Sequence, residues 1–299
     1  MEKSHNIDKE IEEIIASGKY PVVTLDILRN LESIKVFDIT KDHLEYTLDL
    51  YKNYLSAINK LTREHKVCFL ETLKASEIMD NQKLEKENSF LISLYMTVMG
   101  NNSIDEIIKL DSNKMTEKDM IKIQKLLLEG TINDKNTCSG YRQNNRKFVG
   151  SWNYGTRNIQ YFPIRYNEIE EASNKFLELY NQEESSSIEE LLIKPFMIHG
   201  LLASLQLFND GNTRLSRLLQ HAKLWQLTNK TLDTNLELPA IYISRSYYPY
   251  REEYRNKIKN IAVNMDNDSW NDWFNFNLNR LEDQLFYMDN NLEEYQKII

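Results

Sequence analysis

The sequence predicts an all-α fold, a bundle of long helices with one small β-hairpin let into it. Three observations predict it. The 299 residues include only 8 Gly and 5 Pro, so helix breakers are scarce. Apolar residues recur at steps of three and four over most of the chain. Gly130, Gly140, Gly150 and Gly155, half of all the glycines, crowd into the one stretch where that periodicity disappears.

Taken in order, residues 4–100 read as helices with few breakers. Leu44, Leu48, Tyr51, Leu55, Ile58 and Leu61 form one apolar stripe. Thr116 starts the next helix, with Asp119 three residues on as a capping box and Gly130 as its stop. KFVGSW and NIQYFPI, β-branched and aromatic runs on either side of NYGTR, predict a hairpin from about Arg146 to Pro163. Helices resume at Tyr166–Gln182 and again after Ser185, Ser186 and Ser187. The second of these carries Pro195, which predicts a kink or a restart. A polar break, NDGNT, separates it from RLSRLLQHAKLWQL, and two aromatic-rich helical runs complete the chain.

Charge and cysteine content exclude several functions. Forty-five acids against 37 bases leave a net charge of −8, which argues against non-specific binding to nucleic acid or to an anionic membrane. A DNA-binding role would need a basic recognition helix, for which RLSRLLQHAKLW is the only candidate, and its arginines are better explained by the loop described below. Cys68 and Cys138 form no metal-binding spacing and read as free thiols of a reducing compartment. The acidic start, MEKSHNIDKEIEEII, lacks the pattern of a signal peptide. The apolar stretches at 89–104 and 195–209 are shorter than the roughly 20 residues of a spanning helix. A cytoplasmic location without membrane contact is expected.

The stretch that carries chemistry is LFNDGNTRLSRLL, residues 207–219. An apolar helix ends near Phe208, and Gly211 permits a left-handed turn. Asn212 or Thr213 then caps a new helix whose first turns present Arg214 and Arg217 on one face. Orphan amides, the helix dipole and two arginines make an anion site. Asp210 beside them would repel a phosphate unless a divalent cation bridges the two.

Residues 206–217, QLFNDGNTRLSR, resemble the HPFx(D/E)GNxRxxR motif of Fic (Fido-fold) proteins everywhere except its first two positions. GYRQNNRKFVG through YFPI resembles the family's flap hairpin, and the last two helical runs resemble its carboxy-terminal helices. The resemblance spans about residues 40–285. It implies a Fic fold: an amino-terminal helical region (1–100), a core with flap and motif (101–230) and packed carboxy-terminal helices (231–299).

The resemblance also implies a function, transfer of AMP from ATP to a Ser, Thr or Tyr hydroxyl of a target protein. Its partners would be ATP, Mg2+ and that unidentified protein, with a homodimer left open. Phe208, Gly211, Asn212, Thr213, Arg214 and Arg217 would bind the nucleotide. Asp210 would hold magnesium and Asn212 would cradle the α- and β-phosphates. Arg217 would take the γ-phosphate while Arg214 supports the loop. Phe148, Val149, Gly150, Ser151 and Trp152 would clamp the target by strand addition.

One departure matters. Gln206 stands where the family has its catalytic histidine, and an amide cannot accept the hydroxyl proton. His199 lies about 10 Å back along the same helix, at 1.5 Å per residue, and reads as a core histidine; His221 has no better claim. Residues 76–81 resemble the family's inhibitory motif, (S/T)xxxE(G/N), with Ser76 and Asn81 in place and Asp80 for glutamate, expected to pair with Arg217. A charged helix end is the plain alternative. For the whole chain the alternatives are a pseudoenzyme that senses nucleotide or captures a protein strand and, since some relatives phosphorylate or transfer phosphocholine, transfer of another group.

Overall fold

The structure is a computed structural model. It describes residues 2–29, 31, 39–84, 103, 105, 106, 108, 109, 114–129, 140–153, 156–182 and 187–299. Gly100, Gly130, Cys138, Gly155, Ser185, Ser186 and most of the apolar stretch at 89–104 lie outside the described residues, as does the side chain of Trp152.

The chain folds as helices α1 (Glu2–Ala16), α2 (Asp26–Arg29), α3 (Lys41–Asn59), α4 (Arg63–Leu84) and α5 (Glu117–Leu128). Strands β1 (Val149–Asn153) and β2 (Thr156–Tyr161) follow. Helices α6 (Ile169–Asn181), α7 (Ile188–Leu205), α8 (Asn212–Thr231), α9 (Ser244–Tyr247), α10 (Arg251–Asn264) and α11 (Asn267–Ile298) complete it. The all-α reading and the hairpin are both borne out.

Local chemistry explains the boundaries. Thr116 accepts from the Asp119 N–H while the Asp119 carboxylate accepts from the Thr116 N–H, the reciprocal capping box at the start of α5. Leu44, Leu48, Tyr51, Leu55 and Ile58 are buried along α3, as the stripe predicts. Of the two expectations at Pro195 the restart is not met: α7 is one helix from Ile188 to Leu205 with the proline inside it.

Helices α7 and α8 pack along each other at the centre, and both are buried over nearly their whole lengths. Polar ties cross this core. The Tyr51 hydroxyl of α3 meets the Thr228 hydroxyl of α8 at 2.8 Å. The Trp273 indole N–H of α11 donates to the Phe196 carbonyl of α7 at 2.8 Å. One apolar core runs from Val23 to Leu292, so the three stretches of sequence share it. A second, smaller cluster joins Ile11 and Ile15 of α1 to Ile159 and Phe162 at the hairpin. No helix among the described residues is long and apolar enough to cross a membrane.

Candidate functional site

The loop between α7 and α8 is built from two left-handed residues and a set of claimed carbonyls. Gln206 ends α7 at φ 52°, ψ 54°, and Gly211 precedes α8 at φ 76°. A side chain at Gly211 would be strained by that φ and would press on Leu128 at 3.2 Å. The helix therefore ends at Leu205, three residues earlier than expected, and the cap of α8 is Gly211.

Asn212 does not cap α8 with its side chain. Its carboxamide folds back instead: Oδ1 accepts the Phe208 N–H at 2.9 Å, and Nδ2 donates to the Phe208 carbonyl at 2.8 Å. It is almost fully buried, so its role is to close the loop into one shape, and any cradling of phosphates falls to backbone amides. Phe208, expected at the nucleotide, is core: it is fully buried, with its ring 5.1 Å from Tyr141.

Three side chains from outside the motif hold the loop's remaining carbonyls. Arg142 Nε donates to the Gln206 carbonyl at 2.9 Å, while its own N–H donates to the Leu207 carbonyl at 3.1 Å. Lys147 Nζ donates to the Asn209 carbonyl at 2.7 Å. Gln124 Nε2 of α5 donates to the Asp210 carbonyl at 3.0 Å. Carbonyls engaged in this way are not presented to an anion. Helix α8 opens at Asn212 behind Gly211, which supplies no side-chain cap, so its positive dipole end lies at this loop.

Charge gathers on this loop. Arg214 is buried, with Nη2 at 3.6 Å from the Asp210 carboxylate, whose other oxygen accepts the Gly211 N–H at 2.7 Å. Burial lowers the pKa of the Arg142 guanidinium to about 10, which leaves it charged at neutral pH. Burial also pulls the Lys147 ammonium below its ordinary value, against the opposing pull of Asp210. Among the described residues no group of three or more His, Cys, Asp and Glu side chains forms a cage for a metal. A single partly exposed carboxylate beside helix-terminal amides nevertheless suits magnesium brought in on phosphates, because that ion is usually held by one or two carboxylates plus substrate oxygens.

The Gln206 side chain donates from Nε2 to the Ala203 carbonyl at 2.6 Å and so satisfies the end of α7. His199 is core, as expected. Its ring nitrogens meet Gln220 and the Tyr254 hydroxyl, the latter at 2.8 Å, and burial holds its pKa well below the usual value. In His221, Nε2 accepts the Ile243 N–H at 3.0 Å, and burial lowers the pKa to about 3.

The helix carrying the inhibitory-type motif does reach Arg217, but not with the residue expected. Asn81 Oδ1 accepts from Arg217 Nε at 2.8 Å and also from Nη2. The Tyr254 hydroxyl accepts from Nη1 at 3.2 Å. Asp80 pairs instead with Lys83 of the same helix at 3.1 Å. Ser76 lies on the same helix, one residue before Glu77. Glu77 is the buried acid here: its carboxylate accepts from the Ser244 hydroxyl and lies 3.6 Å from His221 Nδ1. Burial raises its pKa to about 8.

The flap is an antiparallel pair in which Gly150 opposes Ile159 and Ser151 opposes Asn158, with an irregularity between Val149 and Gly150. A Cβ on Gly150 would lie 2.0 Å from the Asn158 carbonyl oxygen, so only glycine fits there. Phe148, just before β1, packs on the small cluster beneath α1.

Comparison with known proteins agrees with this geometry. Residues 114–224 match the model of the Fic/DOC family. No curated protein matches the chain. Among solved structures, a Fic family protein from Desulfovibrio desulfuricans G20 superposes with TM-score 0.60 at 15% identity, over 85% of this chain and 76% of that one. A Fic domain-containing signaling protein from Bacteroides thetaiotaomicron gives TM-score 0.56 at 14% identity, over 80% and 94% of the two chains. Fic-1 from C. elegans gives 0.55 at 14% identity, over 85% and 73%. At these identities the likeness is one of fold.

Proposed function

We propose that this chain, which carries a Fic/DOC domain over residues 114–224, binds magnesium ATP at the 206–217 loop and is by descent a protein AMP-transferase slowed by the loss of its base. The observation that carries this reading is the loop itself. Its carbonyls at 206, 207, 208, 209 and 210 are all engaged by protein donors, so the loop turns the start of α8, the positive end of that helix's dipole, toward a ligand. Such pre-organisation suits a polyphosphate, since the dipoles need no rearrangement when charge arrives.

In this reading Asn212 fixes the loop, Arg214 and Lys147 add positive charge, and Asp210 holds the magnesium. That ion neutralises phosphate charge when bound. Arg217 binds the terminal phosphate once Asn81 lets go of it. Gln206 orients but accepts no proton, so the attacking hydroxyl loses its proton to solvent. Losing a general base costs a factor of about 10²–10⁴.

The test is to incubate the protein with magnesium ATP and a cell lysate and to measure by mass spectrometry the gain of one AMP on target proteins. Gln206→His is expected to raise the rate by about 10²–10⁴. Fast transfer by the natural sequence, insensitive to this change, refutes the role given to position 206. A second reading, a pseudoenzyme that binds nucleotide without turnover, is favoured by the bond from Gln206 to Ala203, which gives that side chain a structural occupation. Calorimetry that finds ATP binding with no transfer by either protein selects it.

A further inference from the structure

Helix α1 lies over the flap, and nothing in the anion site requires it to. Its contact has two parts. Ile11 and Ile15 bury against Ile159 and Phe162, with Ile14 and Phe148 packed at the margin. Around this strip run three acid–base pairs: Asp8 to Arg146, at 2.7 Å for the Nη2 bond, Glu10 to Arg157 at 2.9 Å, and Glu12 to Arg165 at 3.3 Å. Glu12 also accepts from the Asn145 amide at 2.7 Å. At 100° per residue Asp8 and Glu12 flank the isoleucine stripe on one side and Glu10 on the other. The hairpin thus presents an apolar strip rimmed by arginines, and α1 is its complement.

The contact of α1 itself is small, the chain that follows it being anchored separately by the Val23 N–H to the Phe162 carbonyl and the Phe162 N–H to the Pro21 carbonyl, both at 2.9 Å. The cluster under α1 is separate from the main core and has four fully buried members. The ion pairs are substantially exposed, and such pairs contribute little and are screened by salt. A 15-residue helix is marginal on its own, so α1 depends on this contact for its order. Elements held in this way open locally before the core does.

We infer that the outer face of the flap is a docking surface for an acidic amphipathic helix of the modified protein, and that α1 is its built-in competitor. The inference rests on the flap's proposed role in target capture, and it adds the chemistry of the target: acids on both flanks of a two-turn apolar stripe. Occupation by α1 keeps the flap closed to partners that lack this pattern.

The experiment uses the full chain carrying Asp8→Lys, Glu10→Lys and Glu12→Lys together. Amide exchange across 149–161 is expected to quicken at least about tenfold at low salt, and the natural protein approaches that rate as salt is raised. Adding Arg146→Glu, Arg157→Glu and Arg165→Glu restores slow exchange by rebuilding the pairs with opposite sign. A fluorescent peptide of residues 2–18 binds the triple-lysine protein but not the natural one, and its charge-reversed counterpart does not bind. Exchange unchanged by the lysines, or peptide binding indifferent to charge, overturns the inference. None of these readouts involves ATP, so their failure leaves the proposed nucleotide chemistry untouched, and failure of AMP transfer leaves them interpretable.

Discussion

Replacing Asn212 by alanine removes the side chain that ties the end of the motif loop back to Phe208. Both of its bonds go to the backbone of Phe208, which is fully buried, so neither the stranded N–H nor the stranded carbonyl can turn to water. A buried polar group left without a partner costs about 1–3 kcal/mol. Two such groups, partly relieved by relaxation of the loop, give an expected loss of about 2–4 kcal/mol. The assay is urea unfolding of the natural and variant proteins, read together with exchange of the Phe208 amide. Asn212→Asp sharpens it: the carboxylate can still accept from the Phe208 N–H, but it cannot donate to the Phe208 carbonyl and brings a buried charge. Its loss is therefore expected to match or exceed that of alanine while the Phe208 amide stays protected. A loss for Asn212→Ala below about 0.5 kcal/mol, the range of an ordinary surface change, refutes the reasoning.

Other outcomes follow from the same geometry. Glu77 has a pKa raised to about 8 by burial, so the stability tied to its neutral form is complete below the unfolded carboxyl value and is lost as pH rises through 8. His221, lowered to about 3, acts in the opposite sense and only below its unfolded value of 6.5. Between pH 6.5 and 8 the natural protein should therefore lose about 2 kcal/mol, and Glu77→Gln should flatten that slope in urea titrations. Asn81→Ala is expected to tighten ATP binding about tenfold in calorimetry while costing about 1.5–3 kcal/mol of stability, since bonds to a charged group are lost; unchanged or weaker affinity shows that Asn81 does not compete with phosphate. Gly150→Ala should cost about 1–3 kcal/mol and abolish exchange protection in β1, because its Cβ would meet the Asn158 carbonyl; a hairpin that keeps its protection contradicts the register.

Much of this was legible in the sequence, for definable reasons. The α3 stripe and the Thr116 box are local patterns with a period or a fixed spacing, and both reappear intact. The turn between α7 and α8 was legible because its parts are neighbours in the chain: Gly211 makes the left-handed turn, and Arg214 follows within the first turn of the helix it starts. What escaped was tertiary. Arg142, Lys147 and Gln124 lie 64, 62 and 86 residues from the carbonyls they hold, and no spacing rule spans such distances. Residues 76–81 were expected to meet Arg217 through Asp80, but which residue of α4 does so depends on the rotation of that helix, which brings Asn81 to Arg217 and Asp80 to Lys83. Pro195 does not end its helix because the lost backbone bond is tolerated in a helix packed on nearly every side.

The short stretch from Arg142 to Val149 unites the two halves of the functional reading. Arg142 and Lys147 are spent on carbonyls of the motif loop, whereas Arg146 and Phe148 are spent on α1. Lys147 lies between the latter two, and in an extended chain neighbouring side chains leave on opposite faces. One face of this segment therefore holds the loop that would bind phosphate, and the other holds the helix that covers the flap. With covalent geometry fixed, residues 146 and 148 cannot move far without moving 147. The Lys147 bond to Asn209 is thus the contact by which this segment touches both the motif loop and, through its neighbours, α1. A chain of net charge −8 thus keeps basic side chains on both faces of this segment: Arg142 and Lys147 on the motif loop, and Arg146 on the acids of α1.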